Sequence, residues 1–354
     1  MPTLREVAEE AGVSLATASR ALSGSRGVTV ENEQAVKHAA ARLGYRTNGI
    51  ARALRSHRTQ MVGVLIPHIA DPFFPRVVQE LERSLQRDQR SILLVDSLGD
   101  PTLERERIND LLDRQVDALV VVPAHPQESC TTIELAAATV PLVQLDRPVA
   151  APTDVASIDH RGGIYLAVDH LVAGGCRRLS FVGAESPLEA VTSRRDAFIE
   201  RLQHHGLPLP TTTPLGSFSV AWGAEAAGAL LHTDPSVDGI VCANDLIAIG
   251  VLRALRARGR IVPDEIAVTG FDDVGFAEVS DPPLTTIRQP VSELGRAAAE
   301  LLTARIDADE HRPPRHITLP AELVQRGSTT PVGATTTRVT ATADTPGTMG
   351  EQSQ

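Results

Sequence analysis

Polar and aromatic side chains follow several short apolar runs of this sequence. Asp146-Arg147 and Asp272-Asp273, for example, each stand at or directly after the end of such a run. A pocket for a sugar needs carboxylates and amides for the hydroxyl groups, an arginine fork, and an aromatic face for the C–H surface of the ring. The chain has candidates for each of these roles at predicted loop positions: Asp71, Phe73, Phe74, Asp146, Arg147, Arg194, Phe218, Asn244, Asp272 and Gln289.

Several of these residues also have structural interpretations. Asp146 and Asp272 could cap the helices that follow their strands. Arg147 and Arg194 could form structural ion pairs, and Phe218 could belong to a hydrophobic core. The residues alone leave these alternatives open.

Other chemistries lack the residues that they need. The sequence has no Gly-rich phosphate loop of the G-x-x-x-x-G-K type, no G-x-S-x-G elbow and no convincing catalytic pair. His68, His125 and the pair His204-His205 do not have the spacing of metal ligands. A binding protein is therefore favoured over an enzyme, and neither a cofactor nor a metal is expected.

The elements that would position the polar residues begin at Met61. From there, short apolar runs alternate with amphipathic helical stretches, which indicates parallel sheets covered by helices on both faces. About 265 residues of this pattern exceed one usual sheet, so we predict two doubly wound parallel-sheet subdomains with a ligand at the carboxyl ends of their strands. The predicted strands are Val62–Pro67, Ile92–Asp96, Ala118–Pro123, Leu142–Asp146, Leu179–Gly183, Gly239–Ala243 and Ile266–Gly270.

Composition narrows the class of protein. The chain has 354 residues, of which 42% are hydrophobic and 22% charged, as in globular proteins of two or three domains. It has no apolar run of the roughly 18 residues that a membrane helix needs, and its first residues do not resemble a signal peptide. Three widely spaced cysteines indicate free thiols in a reducing compartment, so we expect a cytoplasmic protein: Cys130, Cys176 and Cys242.

The net charge of -10 is unevenly distributed along the chain. Residues 1–60 have nine basic and five acidic side chains, a charge of +4, which leaves 25 basic and 39 acidic side chains, or -14, for the rest. A basic segment on an acidic chain points to a polyanion as the partner of that segment.

The basic segment has the signals of short helices. Thr3 and Glu6 are spaced as a capping box, and Gly12 ends the first predicted helix. Ser14 can cap a second helix, and a third is predicted over Val30–Leu43. A helix, a glycine-containing turn and a second helix make the helix-turn-helix pattern. The alternative is a small solvated bundle with surface arginines.

In a helix-turn-helix the second helix enters the major groove with its N-terminal residues toward the base edges. Leu15, Ala16 and Arg20 share the predicted exposed side of that helix. Arg20 offers a fork for guanine O6 and N7, while Leu15 and Ala16 can contact a thymine methyl group. These types of side chain favour sequence-specific binding to double-stranded DNA.

Several ordered motifs support this interpretation. The runs Thr3–Ala8, Gly12–Ser14, Ala16–Leu22, Leu43–Tyr45 and Pro283–Pro290 resemble those of the lactose/galactose-repressor (LacI/GalR) family of transcriptional regulators. The resemblance covers about residues 2–328. It implies a DNA-binding headpiece over 1–46, a hinge helix or linker over 47–60, and an effector-binding and dimerisation domain over 61–328. The composition of residues 329–354 predicts a disordered tail.

The resemblance also assigns DNA contacts. Thr17 and Tyr45 would contact phosphates, and Leu54 in the hinge helix would be a wedge in the minor groove at the operator centre. Thr47 stands where the family usually has Pro, and Ala18 and Ser23 replace the usual Val and Asn. The full set of implied DNA contacts is Leu15, Ala16, Thr17, Arg20, Tyr45, Asn48, Ala51, Leu54 and Arg55.

The body is also similar to periplasmic sugar-binding proteins of the ribose type, in which two phenylalanines sandwich the sugar. Phe73 and Phe74 match them, although Asp71 replaces the usual Asn. The resemblance implies a homodimeric repressor that a small-molecule effector releases from a palindromic operator, although a corepressor is equally compatible. The expected effector is a monosaccharide, with a pentose as one candidate and a purine as the second choice. A transport receptor is the remaining rival.

Overall fold

Three helices form the N-terminal part of the computed structural model, which describes residues 2–23, 27–45, 58–185, 189–307 and 312–329. Each helix begins at a predicted cap. Thr3 and Glu6 form the capping box, the Thr17 amide donates to Ser14 Oγ at 3.1 Å, and the Asn32 amide donates to Thr29. The helices are α1 (Leu4–Glu10), α2 (Leu15–Ser23) and α3 (Val30–Leu43).

A small core holds these three helices together. Val7, Ala18 and Val36 are fully buried between them, and the partly buried Tyr45 packs against the same cluster. Gly12 and Gly44 both have φ near +65°, which a residue without Cβ adopts at low cost where each helix ends. The helix-turn-helix is therefore formed by α1, the turn at Gly12, and α2.

The first subdomain of the body begins at Met61. Its elements up to the first crossing are β1 (Met61–Ile66), α4 (Phe73–Leu85) with a 3-10 turn (Gln86–Asp88), β2 (Ser91–Asp96), α5 (Pro101–Asp113), β3 (Ala118–Val121), α6 (Glu128–Ala137), β4 (Leu142–Asp146) and β5 (Asp154–Ile158).

The second subdomain follows, and the chain then returns to the first. The remaining elements are α7 (His160–Ala173), β6 (Leu179–Ala184), α8 (Glu189–His204), β7 (Leu215–Gly216), α9 (Val220–Thr233), β8 (Gly239–Cys242), α10 (Asp245–Ala257), β9 (Ala267–Asp272), α11 (Gly275–Val279), β10 (Thr285–Arg288), α12 (Val291–Asp307), β11 (His316–Leu319) and β12 (Glu322–Val324).

Two six-stranded sheets organise the body. The first has the order β11-β5-β4-β3-β1-β2, with all neighbours parallel, and the second has the order β12-β10-β9-β8-β6-β7. The chain crosses between the sheets three times: after β5, after β10 and after β11. Polar residues at the carboxyl ends of both sets of strands therefore meet near the crossings.

Helices cover both faces of each sheet, as continuous apolar strands require. In the first subdomain, α4 and α12 bury one face and α5 and α6 bury the other. In the second, α9 and α10 are in close contact at Gly223. A Cβ at this position would lie only 2.1 Å from the Ile247 carbonyl oxygen, so a larger residue would push the two helices apart. This approach fixes the start of α10, where Asn244 stands. None of the helices in the described ranges is long and apolar enough to cross a membrane.

The predicted fold class, an all-α headpiece with two doubly wound subdomains, is confirmed, but several details differ. Strand β12 pairs antiparallel with β10, whereas the apolar pattern predicts only parallel neighbours. Strand β9 continues two residues past the predicted end at Gly270, so Asp272 is a strand residue.

The tail does not start at residue 329. Thr329 is buried and its hydroxyl lies 2.8 Å from Thr285 Oγ1, because Ser328 and Thr329 fill the space beside β9 and β10. Most of the predicted hinge, residues 47–57, and the remaining tail, residues 330–354, lie outside the described residues.

Candidate functional site

All ten residues predicted for the sugar pocket line one cleft, together with His68 and Val191. The cleft holds about 460 Å³ of empty space, counted with the solvent at its mouth. Its walls come from the carboxyl ends of strands in both sheets. Asp146 ends β4 and Asp272 ends β9, while Asn244 and Gln289 follow β8 and β10.

Two phenylalanines form the aromatic wall of the cleft. Phe73 and Phe74 begin α4, and both are buried, with ring centroids 5.2 Å apart and ring planes at 68°. Asp71 fixes this helix start, since its Oδ1 accepts a hydrogen bond from the Phe73 amide at 3.0 Å. The guanidinium carbon of Arg147 lies 5.6 Å from the Phe74 ring centroid. The wall can therefore contact the C–H face of a sugar or the plane of a base.

The pKa values of the two carboxyl groups from the first subdomain are shifted in opposite directions. Burial raises the pKa of Asp71, and the charge of Asp146 raises it further. Burial also acts to raise the pKa of Asp146, but His160, Arg147 and Arg194 together lower it below its usual value. Asp146 has φ +66° and is buried. An ionised acceptor at this position can bind a ligand hydroxyl group.

Arg194 enters the cleft from α8. Its Nη1 donates to the Ala243 carbonyl at 2.7 Å, its Nη2 lies 3.1 Å from His160 Nδ1, and its guanidinium carbon is 3.9 Å from the Phe271 ring centroid. These contacts hold the fork in place without an acidic partner at salt-bridge distance in the described residues. The structural ion pair considered for Arg194 is therefore not found.

Asp272 and Gln289 form the opposite wall. Gln289 Nε2 donates to Asp272 Oδ1 at 2.5 Å. Burial raises the pKa of Asp272 well above its usual value, although Arg194 lowers it. The helix caps considered for Asp146 and Asp272 are not found. Asp159 caps α7, the first helix after β4 and β5, and Val274 stands at the N-cap of α11, after β9, where no side chain accepts a capping hydrogen bond.

Unpartnered polar atoms concentrate at this cleft. Eight buried side-chain nitrogen or oxygen atoms in the described residues have no hydrogen-bond partner, and five of them belong to the cleft or its wall. Buried polar atoms normally have partners, so such a cluster is expected where a polar ligand binds. The five atoms are Asp146 Oδ1, Arg147 Nε, His160 Nε2, Arg194 Nε and Gln289 Oε1.

One hydrogen bond joins the two subdomains at the cleft. Arg76 Nη1, from α4, donates to the Asp273 carbonyl oxygen at 2.8 Å. The Asp273 carboxylate is itself held by Arg288 Nε and Arg326 Nη2, both at 2.7 Å. The described conformation is therefore one in which the two halves contact each other across the cleft.

The residue-by-residue prediction missed three residues. His68 and Val191 line the cleft, and His160 stands behind it in contact with Asp146 and Arg194. His160 directly follows the Asp159 helix cap at the first crossing, which is the signal that could have identified it. Phe218 serves both roles considered for it, because it lines the cleft and packs against Val191.

The headpiece presents the predicted base-reading side chains to solvent. Leu15 is 51% exposed, and Ala16 and Arg20 are also exposed. Thr17 is partly buried, with its hydroxyl 2.8 Å from Ser14 Oγ, and Tyr45 is partly buried against the headpiece core. The other predicted DNA contacts lie outside the described residues: Asn48, Ala51, Leu54 and Arg55.

Metal-binding clusters do not occur in the part of the chain that the structure describes: no group of three or more His, Cys, Asp or Glu side chains there could hold an ion. The three cysteines do not form disulfides with one another, and Cys176 and Cys242 are buried.

Comparison with known proteins covers both parts of the chain. The family model of bacterial regulatory proteins of the lacI family matches residues 3–48, and the model of the periplasmic binding protein-like domain matches residues 168–329. The transcriptional regulator CelR of Thermobifida fusca is 34% identical over 337 residues, which are 92% of this chain and 98% of that protein. The ribose operon repressor of Halalkalibacterium halodurans is 29% identical, over 93% and 97% of the two chains.

Solved structures agree with these matches. A complex of a CelR regulator with cellobiose has a TM-score of 0.70 at 32% identity and covers 93% of this chain and 100% of its own. The Lac repressor dimer bound to operator and an anti-inducer has a TM-score of 0.84 at 25% identity, over 92% and 98% of the two chains.

Proposed function

Because the chain belongs to the lacI family of bacterial regulatory proteins, we propose that it is a homodimeric repressor that a monosaccharide releases from a palindromic operator. Its relatives are DNA-binding transcriptional regulators and not enzymes, so the cleft is an effector site. The family headpiece and the exposed Arg20 support binding to operator DNA in the cytoplasm. A dimer with two-fold symmetry matches an operator whose half-sites are related by the same symmetry.

The cluster of unpartnered atoms carries the proposal of a polyhydroxylated effector. The unpartnered atoms include acceptors on Asp146 and Gln289 and donors on Arg147 and Arg194. A sugar hydroxyl group donates one hydrogen bond and accepts others, so neighbouring hydroxyl groups can satisfy both kinds of atom. The rings of Phe73 and Phe74 would then cover the apolar face of the sugar.

The size and the lining of the cleft favour a single sugar ring. The cleft space of about 460 Å³ includes the open mouth, so the enclosed part is smaller, and the buried side chains of Asp146, Arg194 and Asp272 line it. The similarity to a ribose operon repressor supports a pentose. A purine is the alternative, since the two phenylalanine rings could also hold a planar base.

Effector binding would act on DNA through the three crossings. Closure of the cleft rotates one subdomain relative to the other, and the headpieces follow the first subdomain through the segment after residue 45. The coupling between the sites must be reciprocal, so operator DNA lowers effector affinity by the factor by which the effector lowers operator affinity.

The test is a thermal-shift screen with D-ribose, D-xylose, D-glucose, cellobiose, adenine and guanine. A ligand at 100 times its Kd adds about 2.7 kcal/mol to the stability of the native state. The expected result is a shift with one monosaccharide, its loss in Asp272→Asn, and its retention in Asp281→Asn, whose exposed side chain pairs only with Arg256 on the surface. The active sugar should then release DNA fragments selected by the protein from a random pool.

Two outcomes would contradict the proposal. A shift with a purine and with no sugar would assign the cleft to nucleobases. A sugar that shifts the melting temperature but strengthens DNA binding would make the protein a corepressor-dependent regulator.

A further inference from the structure

His160 occupies a position that joins the two halves of the cleft. It is the first residue of α7, directly after the first crossing between the subdomains, and it is 7% exposed. Its ring lies between Asp146 of the first subdomain and Arg194 of the second, and the ring centroid is 6.0 Å from that of Phe271. His160 does not line the cleft itself.

The contact with Arg194 determines which nitrogen of His160 bears the proton. Arg194 Nη2 lies 3.1 Å from His160 Nδ1. A guanidinium group has only donors, so Nδ1 must accept with its lone pair. The proton of the neutral ring is therefore on Nε2.

The protonated nitrogen faces Asp146. His160 Nε2 lies 3.4 Å from Asp146 Oδ1, and neither atom has another hydrogen-bond partner. At this distance the interaction is longer than a good hydrogen bond. Catalytic hydrogen bonds that are long in the absence of a ligand commonly tighten when the ligand is bound.

We propose that His160, as the neutral Nε2–H tautomer, is a positioning residue that aligns Arg194 and Asp146 for the effector. The ring accepts from the guanidinium group of one subdomain and offers its proton to the carboxylate of the other. It thereby fixes the distance between two effector-binding groups on opposite sides of the first crossing. This inference rests on the proposed function, since it gives His160 a part in holding the effector pocket.

The tautomer can be tested without any effector. The full-length protein is labelled with 15N in its histidine rings, and long-range 1H–15N spectra are recorded near neutral pH, with His160 assigned from the signal that is missing in His160→Asn. The expected signature is a protonated Nε2 and an unprotonated Nδ1. An Nδ1–H tautomer, or an averaged signal like that of exposed histidines, would overturn the proposal whatever the effector is.

Three substitutions separate positioning from packing in the same sugar panel. His160→Phe keeps a ring but has no nitrogen. His160→Asn places an amide oxygen near the position of Nδ1, and His160→Gln places an amide nitrogen near that of Nε2. If His160 positions both partners, His160→Phe should lower sugar affinity about tenfold, the equivalent of one lost hydrogen bond, and the two amides should each recover part of the loss.

The opposite order of sugar affinities among the three variants would overturn the proposal. If the ring only fills space, His160→Phe binds sugar as the wild type does and the smaller amides bind worse. A wild-type protein that binds no sugar in the panel would contradict the proposed function, and the ring spectra would still decide the tautomer. All three variants should retain their affinity for DNA in the absence of sugar, which checks that they are folded.

Discussion

Replacing Asp272 by Asn should stabilise the ligand-free protein and remove its response to the effector. Asp272 is 5% exposed and has φ +109°. Burial raises the pKa of this carboxyl group well above its usual value, because the ionised form is poorly solvated. An Asn amide has nearly the same shape, and its oxygen can accept the same hydrogen bond from Gln289 without a buried charge.

The expected rise in Tm follows from the free-energy cost of burying the Asp272 carboxyl group without full compensation. Such a group costs about 1–3 kcal/mol, and 1 kcal/mol shifts Tm by about 2–4 °C in a domain of this size. We therefore expect Tm to rise by about 2–12 °C in Asp272→Asn. Because the folded-state pKa lies above that of the unfolded chain, the cost is absent below about pH 4, where both states are protonated, and grows as the pH rises.

The neighbouring carboxylate gives a matched control of opposite sign. Burial also acts on Asp273, but hydrogen bonds from Arg288 and Arg326 hold its pKa below the usual value. Its contribution is therefore stabilising above the unfolded-state pKa and is lost as the pH falls through the folded-state pKa. Asp273→Asn should lower Tm at neutral pH. Scanning calorimetry of both variants and the wild type from pH 4 to pH 8 measures these differences.

The reasoning fails if Asp272→Asn is less stable than the wild type at neutral pH. It also fails if both substitutions shift Tm in the same direction. The arginine partners of Asp273 would then not determine whether a buried carboxyl group stabilises or destabilises the protein. A variant that keeps the normal thermal shift with sugar would remove Asp272 from the effector site.

Three further substitutions test the DNA-binding surface and the cleft. Arg20→Ala should cost about 1–3 kcal/mol and relax the preference at one base pair, and an equal loss on every sequence in a binding-site selection would contradict base reading. Leu54→Ala should weaken operator binding and leave sugar affinity intact, and unchanged DNA bending in a gel assay would argue against a wedge. Arg76→Gln removes a donor to the Asp273 carbonyl oxygen, so small-angle scattering of the ligand-free protein should show more open molecules, and an unchanged profile would mean that the contact does not hold the cleft.

Residues at the ends of strands could be located from the sequence because strand patterns are local. Asp146 and Asn244 stand where an apolar run meets a helix signal, and parallel strands bring such ends together. The fold class and the cleft residues Asp146, Asn244, Asp272 and Gln289 followed from this rule, whereas Arg194 lies within α8 and the rule does not place it. Their assignment as effector contacts is still a prediction.

Long-range contacts could not be predicted in the same way. The sequence around β12 and Thr329 does not indicate that β12 is antiparallel or that Thr329 is buried. Both features depend on contacts with β10, which is distant in sequence. Val191 reads as an ordinary helix residue and reaches the cleft only because α8 packs against Phe218. His160 was missed because its two partners are 14 and 34 residues away in sequence.

The three crossings also determine the order in which the protein can fold during its synthesis. Strand β5 ends at Ile158, but α12, which covers one face of the first sheet, begins at Val291. At about 5–20 residues per second, the 132 residues between them take the ribosome about 7–26 s. During that time Val64 and Val120 are synthesised but lack their cover from α12. The nascent chain therefore exposes the part of this apolar sheet face that α4 does not cover to chaperones until nearly all of the protein has been translated.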